Sequence, residues 1–225
     1  MRNKGKTAAD SVLCLAICFG LTGFAVPATA SDVDGLCSGA IGLSVGQWAS
    51  YATDAPLMRD KVKSRHAIVG SEESHYWMEF EAATPTGQGA FVIKILIPGW
   101  PFAGEDIKRA LMQLPRIEGM EPIPPMEMPP QNIQKDNLSK PLQMACDEKD
   151  KGVPESVTVP AGTFSAMRIP VRKLGKDVWL SSNVPFGIVK MADAEGNGME
   201  MIAFGSDAEP AITEMPQQIP GMEQQ

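Results

Sequence analysis

The sequence predicts a mainly β protein with few helices, in which a curved antiparallel sheet forms a half-open barrel covered by a helix. Apolar and polar residues alternate with a period of two in several segments, for example at Tyr76, Met78 and Phe80, as they do when one face of a strand is buried. Glycine-containing turns such as 195–198 separate these segments, which is typical of strands that pair in chain order. Hydrophobic residues make up 44% of the 225 residues, enough for the single β-rich domain that we predict over 31–205.

The first half of the chain predicts about four strands over residues 46–97, with a turn at 84–89. The almost continuous apolar run over 91–97 is typical of a central strand. Segment 104–114 has acidic residues in its first turn and an apolar stripe at helical spacing, so we predict that it is the helix that covers the sheet. The stripe consists of Ile107, Ala110, Leu111 and Leu114.

Residues 115–130 differ in composition from their neighbours, because they contain six prolines and three methionines. Proline lacks the backbone N–H that a sheet interior or a helix requires, so we predict an extended, polyproline-like segment. A second short helix is predicted within 132–146, and a second antiparallel meander within 157–204. Residues 206–225 are rich in proline, glutamine and glutamate, and they predict a disordered tail.

Residues 1–30 have the organisation of a secretory signal peptide. Basic residues between positions 2 and 6 precede an apolar stretch over 11–28, and alanines at 28 and 30 match the small-residue cleavage pattern. We therefore expect export to the bacterial periplasm or beyond, as a chain that does not span the membrane after cleavage; an uncleaved membrane anchor is the alternative. The formal net charge of −7 argues against nucleic acid as a partner.

Two of the four cysteines, Cys37 and Cys146, lie outside the signal peptide. An even pair in an oxidising compartment predicts a disulfide bond. Such a bond would close a loop of about 100 residues, for which the chain-entropy model gives about 4–5 kcal/mol of stabilisation. The alternative is a pair of free thiols that bind a soft metal.

Nothing in the residue pattern favours an enzyme or a bound cofactor. The chain has two histidines, His66 and His75, and no Gly-x-Ser-x-Gly elbow places a serine nucleophile for either of them. It also has no phosphate loop or dinucleotide fingerprint. Glu79 and Glu81 share one strand face, which we interpret as a solvated face rather than as an acid–base pair.

A curved sheet under a helix can leave an apolar cleft between the two, and such clefts commonly bind apolar ligands. Aromatic and methionine side chains suit lipid-like ligands because their contacts are dispersive and adaptable. Filling of the core is the alternative role for each aromatic residue. The candidate cavity liners are Trp48, Trp77, Phe91, Trp100, Phe102 and Trp179.

Five short segments form a recognisable pattern. They are VGQW at 45–48, YWME at 76–79, VPAGTF at 159–164, VWLS at 178–181 and VPFGIVKM at 184–191. The pattern is similar to that of uncharacterised secreted bacterial proteins, which resemble the periplasmic lipoprotein-carrier and lipid-carrier group. The resemblance implies an open β-barrel with a helical lid, whose hydrophobic cavity carries acyl chains. It therefore predicts a non-enzymatic periplasmic binding protein for a lipid or an acylated protein.

Methionine is the main compositional anomaly: the chain has 14, and the tripeptide Met-Glu-Met occurs at 126–128 and again at 199–201. Thioether sulfurs are soft ligands, so Cu(I) binding by Met120, Met126 and Met128 is an alternative function. We expect the second tripeptide to lie on a strand and to pack in the core. A further alternative is a structural or interaction protein whose proline-rich segment 115–130 docks on a partner.

Overall fold

The computed structural model describes residues 32–39, 41–55, 60–84, 89–116, 119–134, 139–214 and 216. Within them, eleven strands form one antiparallel sheet in the order β6-β5-β4-β3-β2-β1-β11-β10-β9-β8-β7, which confirms the predicted fold class. The strands are β1 (Trp48–Thr53), β2 (Val62–Glu72), β3 (His75–Ala83), β4 (Ala90–Ile97), β5 (Arg109–Gln113), β6 (Met126–Met128), β7 (Val153–Val159), β8 (Gly162–Val171), β9 (Lys176–Leu180), β10 (Ile188–Ala192) and β11 (Gly198–Gly205). The signal peptide predicted over 1–30 lies outside the described residues.

The sheet consists of two meanders joined by the pairing of β1 with β11. We call β1–β6 the N-terminal half and β7–β11 the C-terminal half. The C-terminal half curls back on itself, because the turn between β7 and β8 returns to β11. There the Ala161 N–H donates to the Met201 carbonyl oxygen at 3.2 Å, and the rings of Phe164 and Phe204 lie 5.9 Å apart.

The described residues also form three short α-helices: α1 (Val33–Cys37), α2 (Gln131–Gln134) and α3 (Lys140–Asp147). The predicted disulfide between Cys37 and Cys146 is confirmed, and it joins α1 to α3. Leu142 and Ala145 of α3 are fully buried in the main core, against β8 and β9. We call the sheet face toward these helices the inner face and the opposite one the outer face.

The helix predicted over 104–114 is wrong. The chain forms only a 3₁₀ turn at Gly104–Asp106 and then enters β5, which pairs with β4. Ala110 and Leu111 are both buried although they point to opposite faces, Ala110 into the main core and Leu111 into a small outer cluster with Val92 and Ile212. A strand buried on both faces has no alternating pattern, and periodicity alone cannot distinguish a short run of this kind from a buried helix. The helix that covers the sheet is α3.

The proline-rich segment ends in β6, the edge strand of the N-terminal half. Among the described strands, β6 pairs with β5 alone, and its three residues are followed by Pro129 and Pro130. Proline at a sheet edge removes the donors that a further strand would need. The position agrees with the prediction that this segment is neither a helix nor a sheet interior.

The disorder predicted over 206–225 does not hold for residues 206–214, which we call the C-terminal strap. The strap lies across the outer face of the N-terminal half, where Ile212 is only 3% exposed. The N–H groups of Ala211 and Ile212 donate to the Glu79 carboxylate at 2.7 and 3.0 Å, and Lys94 Nζ lies 3.4 Å from it. Glu79 is therefore fully buried, which corrects its interpretation as part of a solvated face. A buried carboxylate needs several donors, and here the strap supplies two of them.

No helix among the described residues is long and apolar enough to cross a membrane.

Candidate functional site

The inner face of the N-terminal half is organised in rows of side chains that run across β2, β3, β4 and β5. One row is fully buried under the helices and the loops around them. It consists of Ile68, Met78, Ile95 and Ala110, which are paired in register from strand to strand. This row belongs to the main core and leaves no room for a ligand.

The next row toward the open end of the sheet is only half-buried. Its members are directly paired from β2 to β6, and we call them the open row: His66, Phe80, Ile93, Met112 and Met126. All but the imidazole are apolar, and none is fully buried. Phe91 lies one step further on the same face, half-buried beside Ala82. The connections β1–β2, β3–β4 and β5–β6 all lie at this end, so the open row lies at the mouth of the half-barrel.

Two of the six predicted cavity liners fill the core instead. Trp100 and Phe102 are buried, and their rings lie 5.7 Å apart. Trp100 also packs against Phe186 at 5.2 Å and donates its indole N–H to the Phe186 carbonyl oxygen at 3.0 Å. The Phe102 carbonyl oxygen accepts from the Ser139 hydroxyl at 2.6 Å, just before α3. These contacts fix the helical segment on the sheet rather than leaving a cleft beneath it.

Three others lie on the outer face because strand alternation directs them there. One of them, Trp179, is nevertheless buried and belongs to the main core. Trp48 donates to Asp207 of the C-terminal strap at 2.7 Å, and Trp77 lies between Lys94 and Arg109, at 5.8 and 5.4 Å from the ring centre. The Trp179 indole donates to Glu155, and Lys190 Nζ lies 5.2 Å from its ring. Cation–π contacts and indole hydrogen bonds satisfy all three rings. Of the six predicted liners, Phe91 alone lies at the open end of the inner face.

His66 occupies the boundary between the open row and the core. Its ring lies 5.2 Å from Tyr51, 5.1 Å from Phe80 and 5.8 Å from Phe186. Its Nδ1 atom is buried and has no hydrogen-bond partner. Burial among aromatic rings lowers the pKa of His66 to about 4, because the charged imidazolium would lose its hydration. The ring is therefore neutral at ordinary pH and acts as part of an aromatic wall.

Tyr51 closes the wall on the core side. Its hydroxyl donates to the Ile188 carbonyl oxygen at 3.2 Å, which links the N-terminal half to β10. Burial raises the pKa of the Tyr51 hydroxyl well above its usual range. Neither Tyr51 nor His66 is charged near neutral pH, so the wall is electrostatically neutral.

The methionines of the proline-rich segment separate into two groups. Met120 is 61% exposed in the loop before β6, whereas Met126 and Met128 lie on the same face of β6. Met126 is directly paired with Met112 of β5, which sequence reasoning missed. The pairing depends on the register of two strands that are separated by a loop without a fixed turn signal, and no local pattern encodes it.

Comparisons of this chain with protein-family models, with curated proteins and with solved structures give no match. Function must therefore be argued from the side chains. Within the described part of the chain, no group of three or more histidine, cysteine, aspartate or glutamate residues is placed to hold a metal ion.

A surface hollow of 260 Å³ lies elsewhere, on the outer side of β7–β9. Its charged lining residues are already engaged. Arg168 lies 3.4 Å from both Glu155 and Asp177, and Lys151 lies 2.6 Å from Glu148. A ligand in this hollow would have to compete with these ion pairs. The open row is the better candidate site, since its apolar surface has no competing partner of that kind.

Proposed function

We propose that the protein is a non-enzymatic binding protein of the bacterial periplasm, and that it holds an apolar ligand, an acyl chain or the lipid of an acylated protein, against the open row. The observation that carries the proposal is the contrast between two neighbouring rows of the same face. The Ile68–Ala110 row is fully buried, while the open row beside it is only partly buried although it is almost entirely apolar.

The composition of the open row suits a flexible hydrocarbon. Phe80 and Ile93 supply rigid apolar surface, and the methionines at its β6 end are unbranched and adapt to different shapes. Partly exposed apolar surface of this extent costs free energy in water, at about 25 cal/mol per Å². A ligand that covers it recovers that free energy, and this is the driving force for the proposed binding.

The two ends of the row differ in what they offer. His66 closes the β2 end of the row as a neutral aromatic wall, whereas the β6 end carries Met126 at the edge of the sheet. Phe91 lies one step further toward the mouth than the row. No positively charged group is paired in register with the row on this face. We therefore propose that the apolar chain, rather than an anionic headgroup, provides most of the affinity.

The proposal is tested with protein purified from the periplasm. Native mass spectrometry and lipid extraction are expected to show a co-purified acyl ligand, and a fluorescent fatty acid is expected to bind to the delipidated protein. Ile93→Asn, which places an amide in the middle of the open row, is expected to weaken that binding at least about tenfold, equivalent to about 1.4 kcal/mol.

Phe204→Ser provides the matched control, since Phe204 is an exposed aromatic residue of the C-terminal half. It is expected to leave the fatty-acid affinity unchanged. If circular dichroism shows that Ile93→Asn fails to fold, Phe91→Ser at the mouth replaces it as the variant that disturbs the proposed site. Equal affinities for the wild type, the open-end variant and the control would overturn the proposal, and so would delipidated protein that binds no fatty acid.

A further inference from the structure

Each Met-Glu-Met tripeptide lies opposite a third methionine. In the N-terminal half, Met126 is paired with Met112 across β5 and β6. In the C-terminal half, Met199 is paired with Met191 across β10 and β11. The remaining methionine of each tripeptide, Met128 or Met201, lies two residues along the same strand and hence on the same face. We call these sets the edge trio (Met112, Met126, Met128) and the core trio (Met191, Met199, Met201).

The backbone geometry brings three sulfurs of a trio within reach of one ion. Directly paired residues of antiparallel strands have Cβ atoms about 4.5–5.5 Å apart. Residues two apart on a strand are separated by about 6.8 Å, at about 3.4 Å per residue. Methionine has three rotatable bonds beyond Cα, so three thioethers on such a triangle can converge on a common point.

The surroundings distinguish the two trios. In the core trio, Met201 is fully buried, and Met191 and Met199 pack against the main core. In the edge trio, Met128 also packs against the main core, but none of the three methionines is fully buried, and Met112 and Met126 belong to the open row. β6 is the edge strand of the described sheet. The edge trio is therefore the more accessible of the two to an ion from solvent.

We infer that the edge trio is a binding site for Cu(I), with the sulfur atoms of Met112, Met126 and Met128 as ligands. Neutral thioethers favour a soft monovalent ion over Zn²⁺ or Mg²⁺, which require anionic or imidazole ligands. Glu127, the charged residue between the two β6 methionines, points to the other face and lies 3.5 Å from Arg109 Nε, so it does not add a hard ligand. The inferred set includes Met112 and excludes Met120, which lies in the loop before β6.

This inference goes beyond the proposed function and fails independently of it. Met112 and Met126 also belong to the open row, so bound copper and a bound acyl chain are expected to exclude each other. Leucine keeps the apolar volume of methionine but lacks the sulfur, and exchanges of this kind usually cost less than about 1.5 kcal/mol of stability. Met112→Leu is therefore expected to weaken copper binding while it preserves fatty-acid binding.

The experiment is a titration of the full, disulfide-intact mature chain with Cu(I), kept reduced by ascorbate under anaerobic conditions, in competition with bicinchoninate. Wild-type protein is expected to withdraw one equivalent of Cu(I) from the chelator, and X-ray absorption is expected to show sulfur ligands only. Met112→Leu and Met126→Leu are each expected to weaken the affinity by tenfold or more.

Met199→Leu in the core trio and Met120→Leu in the loop are the matched controls, and both are expected to retain wild-type affinity. No withdrawal of copper by the wild type would overturn the inference. It would also be overturned if Met112→Leu bound as tightly as the wild type, or if Met199→Leu lost affinity to the same extent as Met112→Leu.

Discussion

The two halves of the sheet are both built from antiparallel hairpins, yet the side chains of their inner faces are buried to different extents. In the C-terminal half, many inner residues of β8–β11 are completely buried, among them Ile169, Leu180 and Met201, and α3 packs against β8 and β9. In the N-terminal half, one row of the inner face is fully buried, but the open row beside it is only partly buried. The two halves share the antiparallel pairing pattern, and they differ in how much of the inner face is buried.

The two Met-Glu-Met tripeptides show what this difference means for function. The same three residues occur on β6 and on β11, each opposite another methionine. On β11, Met201 is fully buried in the main core, whereas on β6 neither Met126 nor Met128 is fully buried. A short motif therefore acquires a possible chemistry from its position in the sheet and not from its sequence alone.

The largest effect is expected from removal of the disulfide, because the loop closed by Cys37 and Cys146 contains the entire N-terminal half. The bond spans 109 positions of sequence, and the chain-entropy model assigns about 4–5 kcal/mol to a loop of that length. The double substitution Cys37→Ala, Cys146→Ala is expected to lower the free energy of unfolding by about that amount in a urea titration.

Hydrogen exchange locates the effect. The amides of β4 and β5, inside the closed loop, are expected to lose more protection than those of β8 and β9, which lie outside it. Equal loss of protection in both halves would show that the sheet unfolds as one unit and that the bond does not act on the N-terminal half in particular.

A smaller loss of unfolding free energy is expected when one methionine of each trio is replaced by alanine. Met201→Ala removes a fully buried side chain from the filled half and is expected to cost about 3–4 kcal/mol, since the cavity cannot collapse. Met126→Ala removes a half-buried side chain from the mouth and is expected to cost about 1 kcal/mol. Urea titrations of both variants measure the difference, and comparable losses would contradict the contrast between the halves.

The architecture could be predicted from the sequence where the signals are local. Alternation identified the strands of both meanders, and the even cysteine pair identified the disulfide. The helix predicted at 104–114 failed because β5 is buried on both faces, by the main core and by Ile212 of the C-terminal strap. The strap itself could not be predicted, since its order depends on the buried carboxylate of Glu79, more than 130 residues away in sequence.

The candidate site was harder to predict for the same reason. Only Phe91 among the six proposed liners stands at the open end, because aromatic composition does not say which strand face a ring occupies. The face of Trp48 and of Trp77 follows from the register of β1–β3, which local sequence leaves open. Met112 belongs to the site because it is paired with Met126, and the sequence of the loop between β5 and β6 does not predict that register.

A pH-dependent effect smaller than that of Met201→Ala is expected from His66, whose Nδ1 atom is buried in the N-terminal half and which has no histidine counterpart in β7–β11. Its pKa is about 4 in the folded chain against 6.5 as the reference value, so the unfolded state binds the proton more tightly. The resulting contribution is fully present above pH 6.5 and is lost as the pH falls toward 4. Between pH 7 and pH 5 the free energy of unfolding is expected to drop by about 2 kcal/mol on this account.

The variant His66→Phe isolates the contribution of His66 protonation to the free energy of unfolding. Phenylalanine keeps the ring contacts with Tyr51, Phe80 and Phe186 but cannot bind a proton. The variant's free energy of unfolding, measured in urea titrations from pH 7 to pH 5, is expected to fall by about 2 kcal/mol less than that of the wild type. Parallel curves for His66→Phe and the wild type would show that the imidazole is hydrated, and the aromatic wall at the β2 end of the open row would then be accessible to water.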